Sequence, residues 1–285
     1  MMLSPPAFLA SALRLWVLVV TCVVWTSMPG AAQIRLMPDH QEAEPDLRTR
    51  VDTFLMLAVD MSGSITADER AFQRATYAAV LRDGEVAHAF TSGPRGRVML
   101  AYYEWSTADN IALIVPPTLV QRPSDLDAIA TRIAGAGQKA HGNGGDPTEV
   151  GAAMAQARGL LSDLPTRPDR IVLDISGDGI ENSGPPSPPE RQALVDAGVI
   201  INGLPLLYRS PSVPARELEA YYDTCVRGGW GSFVLPVRDQ DDLATALKRK
   251  ILLEIAGRMP APTPRDAFFD RATCRYQPPH MGDWR

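Results

Sequence analysis

The sequence has few lysines and no run of basic residues. Lysine occurs only at Lys139, Lys248 and Lys250, and 33 acidic residues outnumber 28 basic ones among the 285, which gives a formal net charge of −5. Domains that bind nucleic acid carry clustered basic surfaces that neutralise phosphates. The sequence therefore predicts no nucleic-acid partner.

Histidine and cysteine are also scarce, with four and three residues. The histidines are His40, His88, His141 and His280, and they form no zinc-ligand or catalytic-triad pattern. His141 lies in a Gly-rich loop at residues 135–145, where it is either a solvated loop residue or a catalytic one. A Gly-rich loop that ends in Lys, as in nucleotide-binding P-loops, is absent from the sequence.

An apolar run from Leu15 to Trp25 follows Arg14, the only charged residue among the first 32, and precedes small residues up to Ala32. This order is typical of a secretory signal peptide, and the run is shorter than the roughly 20 apolar residues that cross a bilayer. We therefore expect residues 1–32 to be a signal peptide cleaved after Ala32, and the mature protein to be exported, either periplasmic or secreted. The alternative is an uncleaved membrane anchor.

Cleavage would leave two cysteines, Cys225 and Cys274. An even number of cysteines in an oxidising compartment favours a disulfide, and two buried free thiols are the alternative. The disulfide would tie a proline-rich tail, residues 259–285, to the main domain. Residues 33–50 are polar and rich in acidic side chains, and we predict that they form a linker.

Strand and helix signals alternate over residues 51–258. The predicted strands are Val51–Asp60, Arg97–Ser106, Ile111–Val120, Arg170–Ser176, Val199–Leu207 and Ser232–Val237. The predicted helices are Thr66–Arg82, Ser124–Ala134, Thr148–Leu164, Pro189–Ala197, Ala215–Val226 and Asp239–Gly257. This alternation predicts an α/β domain with a doubly wound, mainly parallel six-stranded sheet and helices on both faces. A hairpin at residues 107–110 would supply one antiparallel edge strand, in the order 3-2-1-4-5-6.

Small side chains that carry oxygen follow the first strand, at Asp60, Ser62 and Ser64. Ligands of doubly wound sheets bind outside the carboxyl ends of the strands, where the strand order reverses, and Asp178 follows the fourth strand there. Thr148 opens a helix after the Gly-rich loop. Hard divalent cations such as Mg²⁺ take oxygen ligands of the kind found at Asp60, Ser62 and Ser64, and we expect the polar groups of all three segments to converge on one cleft. The alternative for the first motif is a solvated strand-to-helix turn.

Three features resemble the metal-ion-dependent adhesion site (MIDAS) of von Willebrand factor A (vWA) domains in order and spacing. They are Asp-x-Ser-x-Ser after the first strand, the lone threonine Thr148, and Asp178-Gly179. The sequence is also similar to DUF1194, a family of exported bacterial vWA-like proteins of unknown function. This similarity covers residues 51–258. The stretches that carry it are Leu57–Ser64, Tyr103–Ser106, Asp174–Gly179, Ile201–Pro205 and Tyr221–Cys225.

The resemblance implies a binding module with a vWA or Rossmann-like fold. It implies that Ser62, Ser64 and Thr148 approach Mg²⁺ or Mn²⁺ directly, while Asp60 and Asp178 often act through water. An open coordination position would then take a carboxylate from a partner. We therefore expect an unidentified protein partner that offers an acidic residue, and contact with a membrane only if the signal segment stays uncleaved.

One departure from the family pattern is Asp146-Pro147, which precedes Thr148 in place of a glycine pair. Asp146 would either add negative charge beside the cation, which weakens its attraction for an acidic ligand, or only shape the turn. Asp174 shares a strand face with Asp178 by the two-residue repeat, so it is a candidate hydrogen-bond partner of the ligands. We rank Asp178 above Asp174 as a ligand, because the metal aspartate of the family precedes glycine.

Two other functions remain open. A metal-dependent hydrolase using the same cleft would need a general base beside the bound water, and the histidines form no recognisable pattern for one. Asp60 would suit a phosphoryl-accepting Asp-x-Asp motif, but Ser62 occupies the place of the second acid. The other alternative is a structural domain with a degenerate, unoccupied site. We predict a binding module rather than an enzyme.

Overall fold

The structure is a computed structural model that describes residues 50–137, 146–209, 213–258 and 269–274. The predicted signal peptide, the linker apart from Arg50, and most of the proline-rich tail lie outside these ranges. Within the ranges, no helix is both long enough and apolar enough to cross a membrane.

Five strands form one sheet in the order β3-β2-β1-β4-β5. The strands are β1 (Arg50–Asp60), β2 (Val98–Thr107), β3 (Asn110–Val120), β4 (Arg167–Gly177) and β5 (Val199–Pro205). Among the strand pairs of this sheet in the described residues, only the β2–β3 hairpin is antiparallel, and β1 pairs in parallel with both β2 and β4. The predicted doubly wound sheet with one antiparallel edge strand is confirmed.

The prediction of a sixth strand at Ser232–Val237 is wrong. Val234 and Val237 form only isolated parallel bridges beside β5. Leu235 donates to the Gly203 carbonyl and Val237 to the Pro205 carbonyl, both at 2.9 Å. Pro205 has no N–H to return a bond to this segment. The ladder is therefore interrupted before it becomes a strand.

The helices are α1 (Ala67–Leu81), α2 (Gly84–Thr91), α3 (Pro123–Ala134), α4 (Val150–Ser162), α5 (Ser187–Asp196), α6 (Ala215–Tyr221) and α7 (Leu243–Ala256). A 3₁₀ turn at Leu207–Arg209 follows β5, and a π-helical turn at Tyr222–Val226 continues α6. A capping box of Thr66 and Glu69 opens α1. Sequence analysis missed α2, a short helix that Asp83 caps through the Glu85 amide.

Both faces of the sheet are covered by helices, as predicted. In β1, Leu55, Leu57 and Val59 face the apolar side chains of α1, α2, α3 and α7. The alternate residues, which include Phe54 and Met56, face α4, α5, α6 and the π-helical turn. Since successive strand residues point to opposite faces, β1 is buried on both sides. Its carboxyl end is thereby fixed at the centre of one edge of the sheet.

Candidate metal centre

The loops after β1 and β4 leave the sheet at the same edge, because the two strands are parallel neighbours. β1 ends at Asp60 and β4 at Gly177. In the first loop, the Ser64 hydroxyl donates a hydrogen bond of 2.8 Å to Oδ1 of Asp178 in the second loop. The two loops therefore meet at the point where the strand order reverses.

Three oxygen atoms in these loops are buried and have no hydrogen-bond partner: Asp60 Oδ2, Ser62 Oγ and Asp178 Oδ2. Their residues are only 1%, 1% and 2% exposed, respectively. Asp60 Oδ1 accepts the Ser62 amide at 2.7 Å, which leaves Oδ2 as the free oxygen. Because buried polar atoms are nearly always paired in proteins, three of them in adjoining loops indicate space for a ligand that binds through oxygen.

The two carboxyl groups are disfavoured as anions in this environment. Burial raises the pKa of Asp60 to about 7, and the neighbouring charge of Asp178 adds to the shift. Burial also raises the pKa of Asp178, although the hydrogen bond from Ser64 opposes the shift. A divalent cation would favour the charged form of both groups. The electrostatics therefore suit a site for a cation.

Thr148 lies beside the second loop, although it does not open α4 as predicted. The helix begins at Val150, and Thr148 precedes it, 5% exposed. The Thr148 amide donates to Oδ1 of Asn182 at 2.9 Å, and its carbonyl accepts the Asn182 amide at 3.1 Å. A Cβ atom at Gly179 would stand 3.2 Å from the Thr148 hydroxyl oxygen. The third predicted segment thus adjoins Asp178.

Asp146 contacts the β2–β3 hairpin with its side chain and the loop after β1 with its backbone. Its Oδ2 accepts Nδ2 of Asn110 at 2.6 Å and the Ser106 hydroxyl at 3.4 Å. Its carbonyl accepts the Gly63 amide at 2.9 Å. These contacts favour the interpretation in which Asp146 shapes the turn rather than adding charge at the cation.

Asp174 does not join the site, and the interpretation of it as a partner of the metal ligands needs correction. It forms an ion pair with Lys250 of α7, which also pairs with Glu254 at 2.6 Å. The Asp174 and Lys250 side chains are fully buried. Asp174 stands on β4 before the strand ends, where α7 covers the face to which it points. The covering helix α7 determines the partner of Asp174.

Arg209 and Asn182 also lie beside the site, and the sequence pattern does not predict either of them there. The Arg209 guanidinium forms an ion pair with Glu69 and donates to the Ser64 carbonyl at 3.2 Å. The capping box marks Glu69 locally, but Arg209 contacts residues 140 and 145 positions earlier in the chain. No short-range signal in the sequence could have identified Arg209.

The residues present fit a cation that prefers oxygen. In the described part of the chain, no three His, Cys, Asp or Glu side chains are grouped so that they could hold a metal. A cation at these loops would therefore be held by the carboxyl groups of Asp60 and Asp178 together with hydroxyl groups. Oxygen-only sets of this kind suit Mg²⁺ or Mn²⁺.

The family comparison covers the same residues that build this site. The model of a family described as "Protein of unknown function (DUF1194)" matches residues 50–259. The chain belongs to the DUF1194 family. This match agrees with the resemblance identified from the sequence. A comparison of the DUF1194 chain with curated proteins finds no match.

Solved structures similar to this DUF1194 chain include vWA domains. Proximal thread matrix protein 1 from the mussel byssus is 18% identical, with a TM-score of 0.49 over 72% of this chain and 49% of that one. A von Willebrand factor type A protein from Catenulispora acidiphila is 15% identical, with a TM-score of 0.49 over 72% and 43%. The chain thus spans about half the length of these two proteins or less.

A third similar structure is the vWF domain of the type V pili tip protein Mfa5 from Porphyromonas gingivalis. It is 8% identical, with a TM-score of 0.47 over 75% of the DUF1194 chain and 98% of that chain. A further structure of the mussel protein is described as having a zinc-occupied MIDAS motif.

Proposed function

We propose that this protein is an exported binding module that holds Mg²⁺ or Mn²⁺ between the loops after β1 and β4 and presents it to an acidic group of a partner protein. The observation that carries the proposal is the set of three buried, unpartnered oxygens of Asp60, Ser62 and Asp178. A bound cation would give all three a partner and would balance the two buried carboxylates.

The five proposed ligands divide by chemistry. The hydroxyl groups of Ser62, Ser64 and Thr148 are uncharged oxygen ligands. The carboxylates of Asp60 and Asp178 add negative charge and bind the cation directly or through water. Because Mg²⁺ keeps several waters and shares carboxylates readily, one of its positions would stay open to a ligand. A carboxylate from a partner protein is the group that such a position accepts best.

Isothermal titration with Mg²⁺ and Mn²⁺ tests the cation site. We expect wild type to bind both, and Asp178→Ala to bind at least tenfold more weakly, which corresponds to about 1.4 kcal/mol. Ser62→Ala should also bind more weakly, since it removes one of the unpartnered oxygens. The matched control is Asp163→Ala, which removes one exposed carboxylate at the end of α4 and should bind like wild type.

Failure of the wild-type protein to bind either cation at millimolar concentration would indicate a degenerate site and contradict the proposal. The partner is tested separately, by capture from cell-envelope extracts with Mg²⁺ and again with chelator. Capture that requires Mg²⁺ and is lost in Asp178→Ala would support the binding module. Turnover of a phosphoester or peptide by the Mg²⁺-loaded protein would instead favour the hydrolase.

A further inference from the structure

Tyr222 is fully buried, and its hydroxyl has no hydrogen-bond partner. The residue begins the π-helical turn and packs over β4 and β5. A Cβ atom at Gly203 of β5 would stand 2.7 Å from Cδ1 of the Tyr222 ring, and one at Gly177 of β4 would stand 2.7 Å from its hydroxyl oxygen. Real Cβ atoms essentially never approach so closely. Both strands therefore have glycine where Tyr222 lies.

The Tyr222 hydroxyl adjoins the metal centre. The position of the missing Cβ at Gly177 is also 2.6 Å from Oδ2 of Asp60, so the hydroxyl and this oxygen are neighbours. Burial is the main cause of the raised pKa of Tyr222, and the charge of Asp60 is the next. A hydroxyl donates where a carboxylate oxygen accepts. Because neither atom has a hydrogen-bond partner, the two are not directly bonded, and one water between them would complete both groups.

Residues 269–274, which we call the C-terminal strap, lie against the outer side of the π-helical turn. The Cys225–Cys274 disulfide joins the strap to the turn, with Cα atoms 5.5 Å apart. Phe269 of the strap is 6% exposed and packs edge-on against Tyr221, with ring centroids 5.4 Å apart. The ring contact fixes Tyr221, directly before Tyr222, and the covalent bond fixes Cys225, three residues after it.

Two arginines add hydrogen bonds between the turn and its surroundings. Arg191 of α5 donates to the carbonyls of Thr224 and Cys225 at 2.9 and 2.8 Å and to the Arg271 carbonyl at 2.7 Å. Arg271 of the strap donates to the Thr224 carbonyl at 3.1 Å. The turn is therefore bonded to the strap by several contacts, and Tyr222 is the residue of the turn that reaches the metal centre.

We propose that Tyr222 is a positioning residue of the metal centre, holding Oδ2 of Asp60 in place, and that the C-terminal strap keeps Tyr222 there through the Cys225–Cys274 disulfide. The inference rests on the proposed cation site. Residues that orient metal ligands typically contribute about tenfold to a hundredfold in metal affinity when they are removed. The strap would affect the site only through the tyrosine that it fixes.

Mg²⁺ titration of full-length variants tests both parts. Tyr222→Phe should bind Mg²⁺ about tenfold more weakly than wild type, since only the hydroxyl is lost. The matched control is Tyr221→Phe, which removes the buried hydroxyl of the preceding residue and should bind like wild type. The double variant Cys225→Ala/Cys274→Ala should bind more weakly than wild type. Adding Tyr222→Phe to that double variant should give no weaker binding than Tyr222→Phe alone, which a general loss of stability would not produce.

Each outcome decides a separate point. Wild-type affinity in Tyr222→Phe would overturn the positioning role while leaving the cation site intact. Full additivity of the tyrosine and cysteine changes would overturn the coupling through the strap. Absence of binding in wild type would overturn the cation site and this inference together. If the cysteine variant does not fold, Arg271→Ala, which keeps the disulfide and removes the hydrogen bond from the strap to the Thr224 carbonyl, gives the same comparison with and without Tyr222→Phe.

Discussion

Gly177 is the last residue of β4 and stands between two parts of the metal centre. A Cβ atom there would be 2.6 Å from Oδ2 of Asp60 and 2.7 Å from the Tyr222 hydroxyl. The residue is glycine because any side chain would occupy the gap between these two oxygens. The absence of a side chain at Gly177 thus leaves room for the end of β1 and the π-helical turn to lie next to each other.

Replacement of this glycine should damage both stability and cation binding. We expect Gly177→Ala to lower the free energy of unfolding by about 1–3 kcal/mol, the usual cost of overpacking, and to weaken Mg²⁺ binding. The control is Gly159→Ala in α4, where an added Cβ meets nothing within 4 Å. That change should raise the free energy of unfolding by about 0.5–1 kcal/mol. Urea unfolding of both variants measures the difference, and equal stability at Gly177→Ala would contradict the crowding described here.

At the level of residues, the sequence predicts those members of the site that lie close together in the chain. Asp60, Ser62 and Ser64 follow one strand at fixed spacing, so their proximity follows from a short motif. Arg209 and Tyr222 reach the same place from distant segments. Tyr222 lies in Tyr221–Cys225, one of the stretches similar to the family, but nothing in that stretch indicates a position beside Asp60. Their positions depend on how β5 and the π-helical turn pack, which the pattern of residues does not specify.

At the level of elements, α7 is attached to the sheet through a buried charged cluster. Lys250 pairs with Asp174 of β4 and Glu254 of α7, and Asn202 of β5 donates to Glu254 at 2.9 Å. Burial raises the pKa of Glu254 to about 7, and the charge of Asp174 adds to the shift. One lysine therefore faces two buried carboxyl groups, and one of the two is easily protonated.

This cluster should make stability depend on pH. The pKa of Glu254 is higher in the folded state than in the unfolded state. Its contribution to the free energy of unfolding is therefore fully present below about pH 4.5 and is lost as the pH rises through about 7. The free energy of unfolding of wild type should fall between pH 5 and pH 8, and this fall should be about 2 kcal/mol smaller in Glu254→Gln. Urea unfolding of both proteins at the two pH values measures the difference. Since each protein is compared with itself, any general effect of the substitution cancels. An identical loss in both proteins would contradict a raised pKa at Glu254.

The elements themselves were mostly predictable, and the exceptions have local causes. The alternating pattern gave the parallel sheet, the hairpin and helices on both faces. It gave a sixth strand because Ser232–Val237 is apolar, but Pro205 interrupts the ladder that this segment would have joined. It missed α2 because an eight-residue helix that begins at Gly84 gives too short a signal.

At the level of the whole molecule, the metal centre and the strap are parts of one domain that we propose is exported. The predicted signal peptide and the Cys225–Cys274 disulfide are consistent with each other, since disulfides form in oxidising compartments. Mass spectrometry of the protein from envelope fractions should find Gln33 at the N-terminus and the two cysteines bridged. Intact Met1 on the membrane-bound protein would indicate an uncleaved anchor instead.

Anomalous diffraction from crystals grown with Mn²⁺ tests the central claim most directly, because it locates the cation relative to named atoms. We predict one Mn²⁺ peak at the loops after β1 and β4, about 2.2 Å from the hydroxyl oxygens of Ser62 and Ser64, with Asp60 and Asp178 bound to it directly or through water. The peak should be weaker in Asp178→Ala crystals at the same Mn²⁺ concentration, chosen close to the wild-type Kd. Wild-type crystals with no peak at millimolar Mn²⁺, or with a peak only on other residues, would contradict the proposal that this domain holds a cation between the two loops.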